Sequence, residues 1–199
     1  VTAAELPASV RDLTAAKWKG KVGWAPTNGS FQAFVTGMRQ IDGEPATKTW
    51  LEAMKDNGTR TYKDNKAIVS AVAAGEISAG LTNHYYLFGF LTEQGDSFKA
   101  RNHYTAPNDP GSLVNVAGAG ILKTSGNNPA ARAFIDFLLS GHAQRYFAQE
   151  TFEYPLVAGI ETDPRIKPLA EVDPPDLDLG ALRDLQGSLA LLRSTGVLP

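Results

Sequence analysis

The sequence contains no cysteine, and only three histidines and two methionines in 199 residues. The lack of cysteine excludes disulfides, thiolate metal sites, redox motifs and cysteine nucleophiles. No apolar run reaches the roughly 18–20 residues that a membrane-spanning helix needs. Residues 1–5 (Val-Thr-Ala-Ala-Glu) have neither the basic region nor the apolar region of a signal peptide. If the protein is exported, we therefore expect its signal sequence to lie upstream of Val1.

An excess of charge of either sign is also lacking. Lysine and arginine number 19 against 21 acidic residues, and the formal net charge is -2 at pH 7. Because no basic stripe is visible, we do not expect nucleic acid as a partner. Hydrophobic residues make up 43% and charged residues 20%, which is typical of a soluble globular protein. The length fits one large domain, or one complete domain and part of a second.

The motifs of several enzyme classes are missing as well. There is no GxxxxGK[ST] phosphate loop, no HExxH zinc motif and no GxSxG nucleophile elbow. The spacing of the histidines does not fit a metal site; they are His84, His103 and His142. No pairing of a nucleophile with a base stands out, so we do not expect an enzyme. The least supported alternative is a hydrolase that uses Tyr85 with Glu153 or Asp109.

What is present is an alternation of strand-like and helix-like segments. Hydrophobic spacing predicts strands in residues 19–24, 77–81 and 113–117. Residues 163–178, which are rich in proline and acidic side chains, predict an extended connector. The alternation favours an α/β fold with a mainly parallel or mixed sheet. Helices are predicted to begin near Phe31, Pro45, Asn65 (as N-cap), Asn128 (as N-cap), His142 and Leu182.

The unusual feature is residues 83–86 (Asn-His-Tyr-Tyr), at the end of a predicted strand. Phenolate oxygen is a hard anionic ligand and Fe(III) is a hard cation, so the two match. A bound trivalent ion supplies the charge that removes the phenolic proton, whose unperturbed pKa is about 10. Adjacent residues of a regular strand point to opposite faces. Both rings therefore reach one ion only if the strand ends before Tyr85; the alternative is an aromatic pair that packs beneath a lobe.

Residues 27–30 (Thr-Asn-Gly-Ser) come directly before a predicted helix. The free N–H groups at a helix start and the positive end of the helix dipole favour a bound anion. Simple capping of the helix is the alternative interpretation. The same two interpretations apply to Asn65.

Five segments occur in an order that resembles the bacterial periplasmic ferric-iron-binding proteins, the capture subunits of ABC importers. They are residues 18–23 (Trp-Lys-Gly-Lys-Val-Gly), 27–31, 83–86, 109–114 and 153–156. The likeness extends over nearly the whole chain, and the combination is more specific than any one segment. The resemblance implies a periplasmic-binding-protein-like fold of type II, the transferrin-lobe type, with a mixed sheet flanked by helices.

The resemblance also implies roles for particular residues. Tyr85 and Tyr86 would bind Fe(III), and a synergistic anion, phosphate or carbonate, would complete the coordination sphere. Some branches of the family place a third tyrosine before the first helix, where this chain has Asn-Gly-Ser-Phe, so it is closer to the branch with two tyrosines and phosphate. Whether His84 contributes stays open. The matching anion-binding positions are Asn28, Gly29, Ser30, Asn65 and Asn83.

The same resemblance implies a division of the chain into lobes. Residues 1–114 would form the second lobe, residues 115–165 would return to the first lobe, and residues 166–199 would pack back on the second. The N-terminal lobe would be largely missing. Apolar helix residues such as Phe134 and Phe137 would then pack on the second lobe or on another copy of the chain.

The resemblance also implies partners and a location. One partner is an ABC permease in the membrane, and another is the missing N-terminal lobe or a second copy of the chain. The location would be periplasmic or otherwise extracytoplasmic, either free or lipid-anchored. The alternative within binding proteins is a receptor for a polyamine, sulfate, thiamine or phosphonate, in which the aromatic pair stacks on the ligand.

Overall fold

The computed structural model describes the backbone of residues 1–199 and the side chain of every residue except Ala3. Its contacts divide the chain into two compact units. Unit 1 contains Val1–Asn115 and Asp173–Pro199, and unit 2 contains Val116–Val172. The chain therefore leaves unit 1 and returns to it, so the C-terminal segment belongs to the same unit as the N-terminal one.

Unit 1 is built on a parallel sheet of three short strands in the order β2-β1-β3. The strands are β1 (Val22–Trp24), β2 (Arg60–Thr61) and β3 (Ala79–Gly80). Gly23 of the central strand pairs with Arg60 on one side and Gly80 on the other. Each strand leads into a helix: α1 (Gly29–Ile41) follows β1, α3 (Asn65–Ala73) follows β2 and α4 (Tyr86–Gln94) follows β3. Three loops therefore lie at the carboxyl edge of the sheet.

The main core of unit 1 lies between β1 and the helices α1, α2 (Glu44–Asp56) and α8 (Leu185–Ser194). Val22 and Trp24 share one face of the strand, because residues alternate between faces, and both are buried in this core. The indole of Trp24 makes edge-to-face contacts with Phe31 and Trp50 at centroid distances of 5.6 and 6.4 Å. This core fixes the sheet against the helices that lead to and from its edge.

A separate apolar cluster supports the start of α4. Val69 of α3 and Leu87 of α4 are buried in it together with Phe98 and Ala100. The rings of Phe90 and Phe98 stack with centroids 4.8 Å apart and planes within 2°. The first turn of α4 is thereby fixed relative to α3 and to the extended segment that follows α4.

Unit 2 contains three helices, α5 (Asn128–Leu138), α6 (Gly141–Gln149) and α7 (Leu169–Val172). The side chains of Asn127 and Ser140 cap α5 and α6 by accepting bonds from Ala130 N and Ala143 N. Phe134 and Phe137 of α5 are 60% and 51% exposed. No helix in the described part of the chain is both long enough and apolar enough to cross a membrane.

The structure confirms the α/β architecture and most of the predicted elements, with some corrections. The predicted strand at residues 113–117 does not form, and the one at 77–81 shortens to Ala79–Gly80. The N-cap of α3 is Asp64 instead of Asn65, because the Asp64 carboxylate accepts from Ala67 N at 2.8 Å. Asn127 replaces Asn128 as the cap of α5 for the same reason. The predicted last helix is interrupted at Asp184, which caps α8.

Candidate metal-binding site

All seven predicted site residues lie in the three loops at the carboxyl edge of the sheet or in the first helical turns after them. The loop after β1 and the start of α1 contain Asn28, Gly29 and Ser30, and Asn65 begins α3 after β2. The segment after β3 contains Asn83 and leads into the tyrosine pair. Ligands of parallel α/β sheets bind outside the carboxyl ends of the strands. The fold thus brings residues far apart in the sequence to the edge where a ligand is expected.

The tyrosine pair lies at the start of a helix. β3 ends at Gly80, Tyr85 occupies the N-cap position of α4 with φ -69° and ψ -23°, and Tyr86 is the first helical residue. Consecutive residues of a helix are about 100° apart around its axis, whereas those of a strand point to opposite sides. The two rings therefore lie side by side, with centroids 4.6 Å apart and planes inclined by 40°. The condition for sharing one ion, that the strand has ended before Tyr85, is met.

Neighbouring side chains restrict the position of the pair. The His84 ring contacts Tyr85 edge to face at a centroid distance of 5.5 Å. Tyr86 is half-buried against the cluster that contains Leu87 and Phe98. Nδ2 of Asn102 donates to the His84 carbonyl oxygen at 2.9 Å. Ring contacts of the side chains and a hydrogen bond to the backbone therefore hold the loop that contains the tyrosine pair.

Two of the predicted anion-binding residues contact each other. Asn65 is 3% exposed, and its Nδ2 donates to Oδ1 of Asn83 at 3.1 Å. This bond joins the first residue of α3 to the tyrosine loop. It uses the side-chain oxygen of Asn83 and leaves the Asn83 amide N–H groups to a ligand or water.

The hydrogen bonds of the turn before α1 are those of a capped helix. Oδ1 of Asn28 accepts from Ser30 N at 2.9 Å, and the Asn28 carbonyl oxygen accepts from Gln32 N at 3.1 Å. Nε2 of Gln32 also donates to the Pro26 carbonyl oxygen at 3.1 Å, which fixes the turn on its other side. Gly29 is exposed at the first helical position. Asn28 therefore serves as a cap, and the turn is ordered by its own hydrogen bonds.

Acidic residues do not gather into a second candidate site. Among the described side chains, no group of three or more histidine, aspartate or glutamate residues could hold a metal ion. Asp109, a partner in the hydrolase alternative, is 4% exposed and accepts bonds from Val10 N, Gly111 N and Arg11 Nη1 at 3.1, 2.9 and 3.0 Å. Its carboxylate therefore joins two segments of unit 1, which gives no support to a catalytic role.

Sequence reasoning did not identify Asp64 or Asn102. Asp64 had a usable signal, since it immediately precedes Asn65 and aspartate is as good an N-cap as asparagine. Asn102 had almost none, because it lies 16 residues beyond Tyr86 in the sequence. Only the structure shows that Phe98, Ala100 and Asn102 lie on one side of an extended segment, because burial alternates along it.

Comparisons with known proteins give a consistent result. A family model for bacterial extracellular solute-binding proteins matches residues 1–179. The Fe(3+)-binding periplasmic protein of Serratia marcescens is 34% identical over 197 residues, which cover 98% of this chain and 58% of the relative. The major ferric iron-binding protein of Neisseria meningitidis serogroup B is 33% identical over 194 residues, with coverages of 97% and 58%.

A solved structure is similar over the same extent. The crystal structure of iron-bound HitA from Pseudomonas aeruginosa matches with a TM-score of 0.93 and 35% sequence identity. The match covers 98% of this chain and 63% of that one. The chain therefore spans between 58% and 63% of the length of these relatives. The type II fold implied by the resemblance is confirmed.

Proposed function

This chain belongs to the family of bacterial extracellular solute-binding proteins, and we propose that it is the extracytoplasmic Fe(III)-binding subunit of an ABC iron importer. The observation that carries this proposal is the side-by-side placement of Tyr85 and Tyr86 at the carboxyl edge of the sheet, with ring centroids 4.6 Å apart. The two similar proteins from Serratia marcescens and Neisseria meningitidis are named for ferric iron, and the similar solved structure is iron-bound. They favour this function over a receptor for a polyamine, sulfate, thiamine or phosphonate.

In this proposal the tyrosines hold the ion as phenolates. Fe(III) prefers hard oxygen ligands, and its charge stabilises the deprotonated form of each phenol. Binding therefore releases protons, and the affinity rises with pH. No bond of the solute is made or broken, so the chain binds its cargo without a catalytic step.

A synergistic anion, phosphate or carbonate, would fill the remaining coordination positions. The helices α1, α3 and α4 all begin at the carboxyl edge of the sheet. The positive ends of their dipoles and their first N–H groups favour negative charge there. Asn83 offers amide N–H groups, and Asn65 holds it in place at 3.1 Å. Gly29 and Ser30 complete the proposed anion side, and Asn28 contributes by shaping the turn as the cap of α1, with its Oδ1 accepting from Ser30 N at 2.9 Å.

The proposal extends to partners and to the lobes. The partner in the membrane is an ABC permease, and the location is periplasmic or otherwise extracytoplasmic, free or lipid-anchored. Residues 1–114 and 166–199 are assigned to the second lobe and residues 115–165 to the first. The exposed phenylalanines of α5 support an additional partner, which is the N-terminal lobe of a longer protein or another copy of the chain.

A visible absorption titration with Fe(III) nitrilotriacetate in phosphate buffer tests the tyrosine site. The chain should develop a broad phenolate-to-iron band, and the double variant Tyr85→Phe/Tyr86→Phe should stay colourless. Tyr146→Phe is the matched control, because Tyr146 is a 55% exposed tyrosine of unit 2. This control should be as coloured as the unaltered chain. A chain that stays colourless, or a double variant that keeps the band, would contradict the proposal.

A further inference from the structure

The start of α4 lacks a capping side chain, a feature that it shares with α2, whose N-cap is Gly43. Side chains cap α1, α3, α5, α6 and α8 by accepting a backbone N–H bond. In α4 the N-cap position is Tyr85, and no described side chain caps this helix. Asparagine, aspartate, serine or threonine would be the usual residue there. Tyr85 can serve as a metal ligand but is a poor helix cap. Other contacts must therefore fix the geometry of the tyrosine pair.

Asn102 supplies a bond at the peptide directly before the pair. Its Nδ2 donates to the His84 carbonyl oxygen at 2.9 Å. That carbonyl belongs to the peptide group whose nitrogen is Tyr85 N, so the bond restrains the rotation that sets the direction of the Tyr85 side chain. The bond comes from outside the loop, since Asn102 lies 17 positions after Tyr85 in the sequence.

The segment that carries Asn102 is itself firmly held. Phe98 and Ala100 are 6% and 5% exposed and pack in the same cluster as Leu87 of α4. The Arg101 guanidinium turns back on the segment, where it donates to the carbonyl oxygens of Phe98, Ala100 and Asp96. Asn102 therefore extends from a braced strand-like segment toward the tyrosine loop.

We infer that Asn102 is a positioning residue for the ferric site: by holding the His84–Tyr85 peptide, it keeps both phenol rings directed at one ion. This inference rests on the proposed function, because it concerns the same tyrosine pair. Outer residues that orient metal ligands typically change metal affinity by about 10–100-fold when they are replaced. Asn102 is expected to act in this way although it does not touch the ion.

The test compares Asn102→Asp with the unaltered 199-residue chain in a competition titration with Fe(III) nitrilotriacetate. Aspartate keeps the shape of asparagine but places an oxygen against the His84 carbonyl oxygen, so the bond is lost. We expect an affinity loss of about 10–100-fold, together with a shifted or weakened phenolate-to-iron band. Asn102→Ala removes the bond without adding charge, and it should also lower the Fe(III) affinity.

Asn57→Asp is the matched control. Nδ2 of Asn57 also donates to backbone carbonyl oxygens, those of Leu13 and Ala15, each at 3.1 Å. It lies at the end of α2, outside the carboxyl-edge loops. This variant loses the same kind of bond and should keep the affinity and the band of the unaltered chain, even if its melting temperature falls.

Amide hydrogen exchange of the iron-free chain gives a second readout. Asn102→Asp should accelerate exchange at residues 85–89, and Asn57→Asp should not. If both Asn102 variants fold and bind iron within twofold of the unaltered chain with the same band, the positioning role is overturned while the ferric site stands. If the unaltered chain stays colourless, the proposed function fails, and this inference fails with it.

Discussion

Gly80 packs so closely against Ile68 that no side chain fits between them. A Cβ on Gly80 would lie 2.1 Å from Cγ2 of Ile68. Gly80 ends β3, and Ile68 is a fully buried residue of α3. Cγ2 of isoleucine sits on the branched Cβ and cannot swing away freely. The distance between the sheet and α3 is thus set by the absence of a side chain at Gly80.

Gly80→Ala is therefore expected to lower the free energy of unfolding by about 1–3 kcal/mol, as other overpacked cores do. Urea denaturation followed by circular dichroism measures this. Gly89→Ala is the control, because Gly89 is an exposed residue within α4 and, apart from its chain neighbours and the nearby backbone of α4, no described atom lies within 4 Å of its added Cβ. The control should gain about 0.5–1 kcal/mol. Equal stability of the two variants would show that α3 does not approach the sheet as closely as described.

The Asp109 carboxylate is expected to contribute strongly to stability. It accepts bonds from the Ser9 hydroxyl, Val10 N, Gly111 N and the Arg11 guanidinium. Asp109→Ala leaves these donors without their partner, and a charge-assisted bond is typically worth about 1.5–3 kcal/mol. We expect a loss of at least that size in urea denaturation.

Glu52→Ala serves as the reference for the Asp109 variant. Glu52 forms an exposed ion pair with Lys48 at 2.7 Å, and such pairs contribute about 0.3–0.5 kcal/mol. Similar losses in Glu52→Ala and Asp109→Ala would contradict the structural role given to Asp109.

The stability of unit 2 should depend on the titration of Glu153. Burial raises the pKa of the Glu153 carboxyl above its ordinary value. Since the folded-state pKa lies above the unfolded one, the folded state binds this proton more tightly. The resulting stabilisation is complete below the unfolded pKa of about 4.3 and is lost as the pH rises through the folded pKa. Hydrogen exchange in α6 between pH 4 and 7 should show this loss.

Glu153→Gln should remove that part of the pH dependence, because glutamine does not titrate. Glu161→Gln is the control, because Glu161 is an exposed glutamate of the same unit. This variant should leave the pH dependence of stability unchanged. An unchanged pH profile in Glu153→Gln would rule out Glu153 as the group responsible.

Asn83 is expected to contribute to Fe(III) affinity mainly by binding the synergistic anion. In Asn83→Ala, we expect iron affinity measured in phosphate to fall by about tenfold or more, by analogy with other residues that orient metal ligands. Without phosphate or carbonate the loss should be smaller. The measurement is a competition titration with Fe(III) nitrilotriacetate in the presence and absence of each anion. Asn128→Ala, at an exposed position of α5, should change neither value. An equal loss with and without anions would refute the assignment.

Several features of the site were predictable because they depend on local chemistry. The alternation of strands and helices predicted an α/β fold with a mainly parallel or mixed sheet. The sheet that forms is parallel, so the loops after β1, β2 and β3 lie at one edge. Residues 83–86 were identified because two adjacent tyrosines at a strand end are unusual. The order of five segments then pointed to the family.

Other features depend on neighbours that the sequence does not reveal. Asp64 and Asn65 are both good caps, and only the backbone geometry selects Asp64. Val114 and Val116 favour a strand, but a strand forms only where another is available for pairing. The bond from Asn102 exists because Phe98 packs beside α4, a contact between residues that no local pattern connects.

None of the seven residues at the carboxyl edge belongs to the main core of unit 1. Stability and the proposed choice of solute are therefore largely separate properties of this chain. If the tyrosine pair binds Fe(III) as proposed, substitutions in three short loops would be enough to change the cargo while the main core of unit 1 kept its packing.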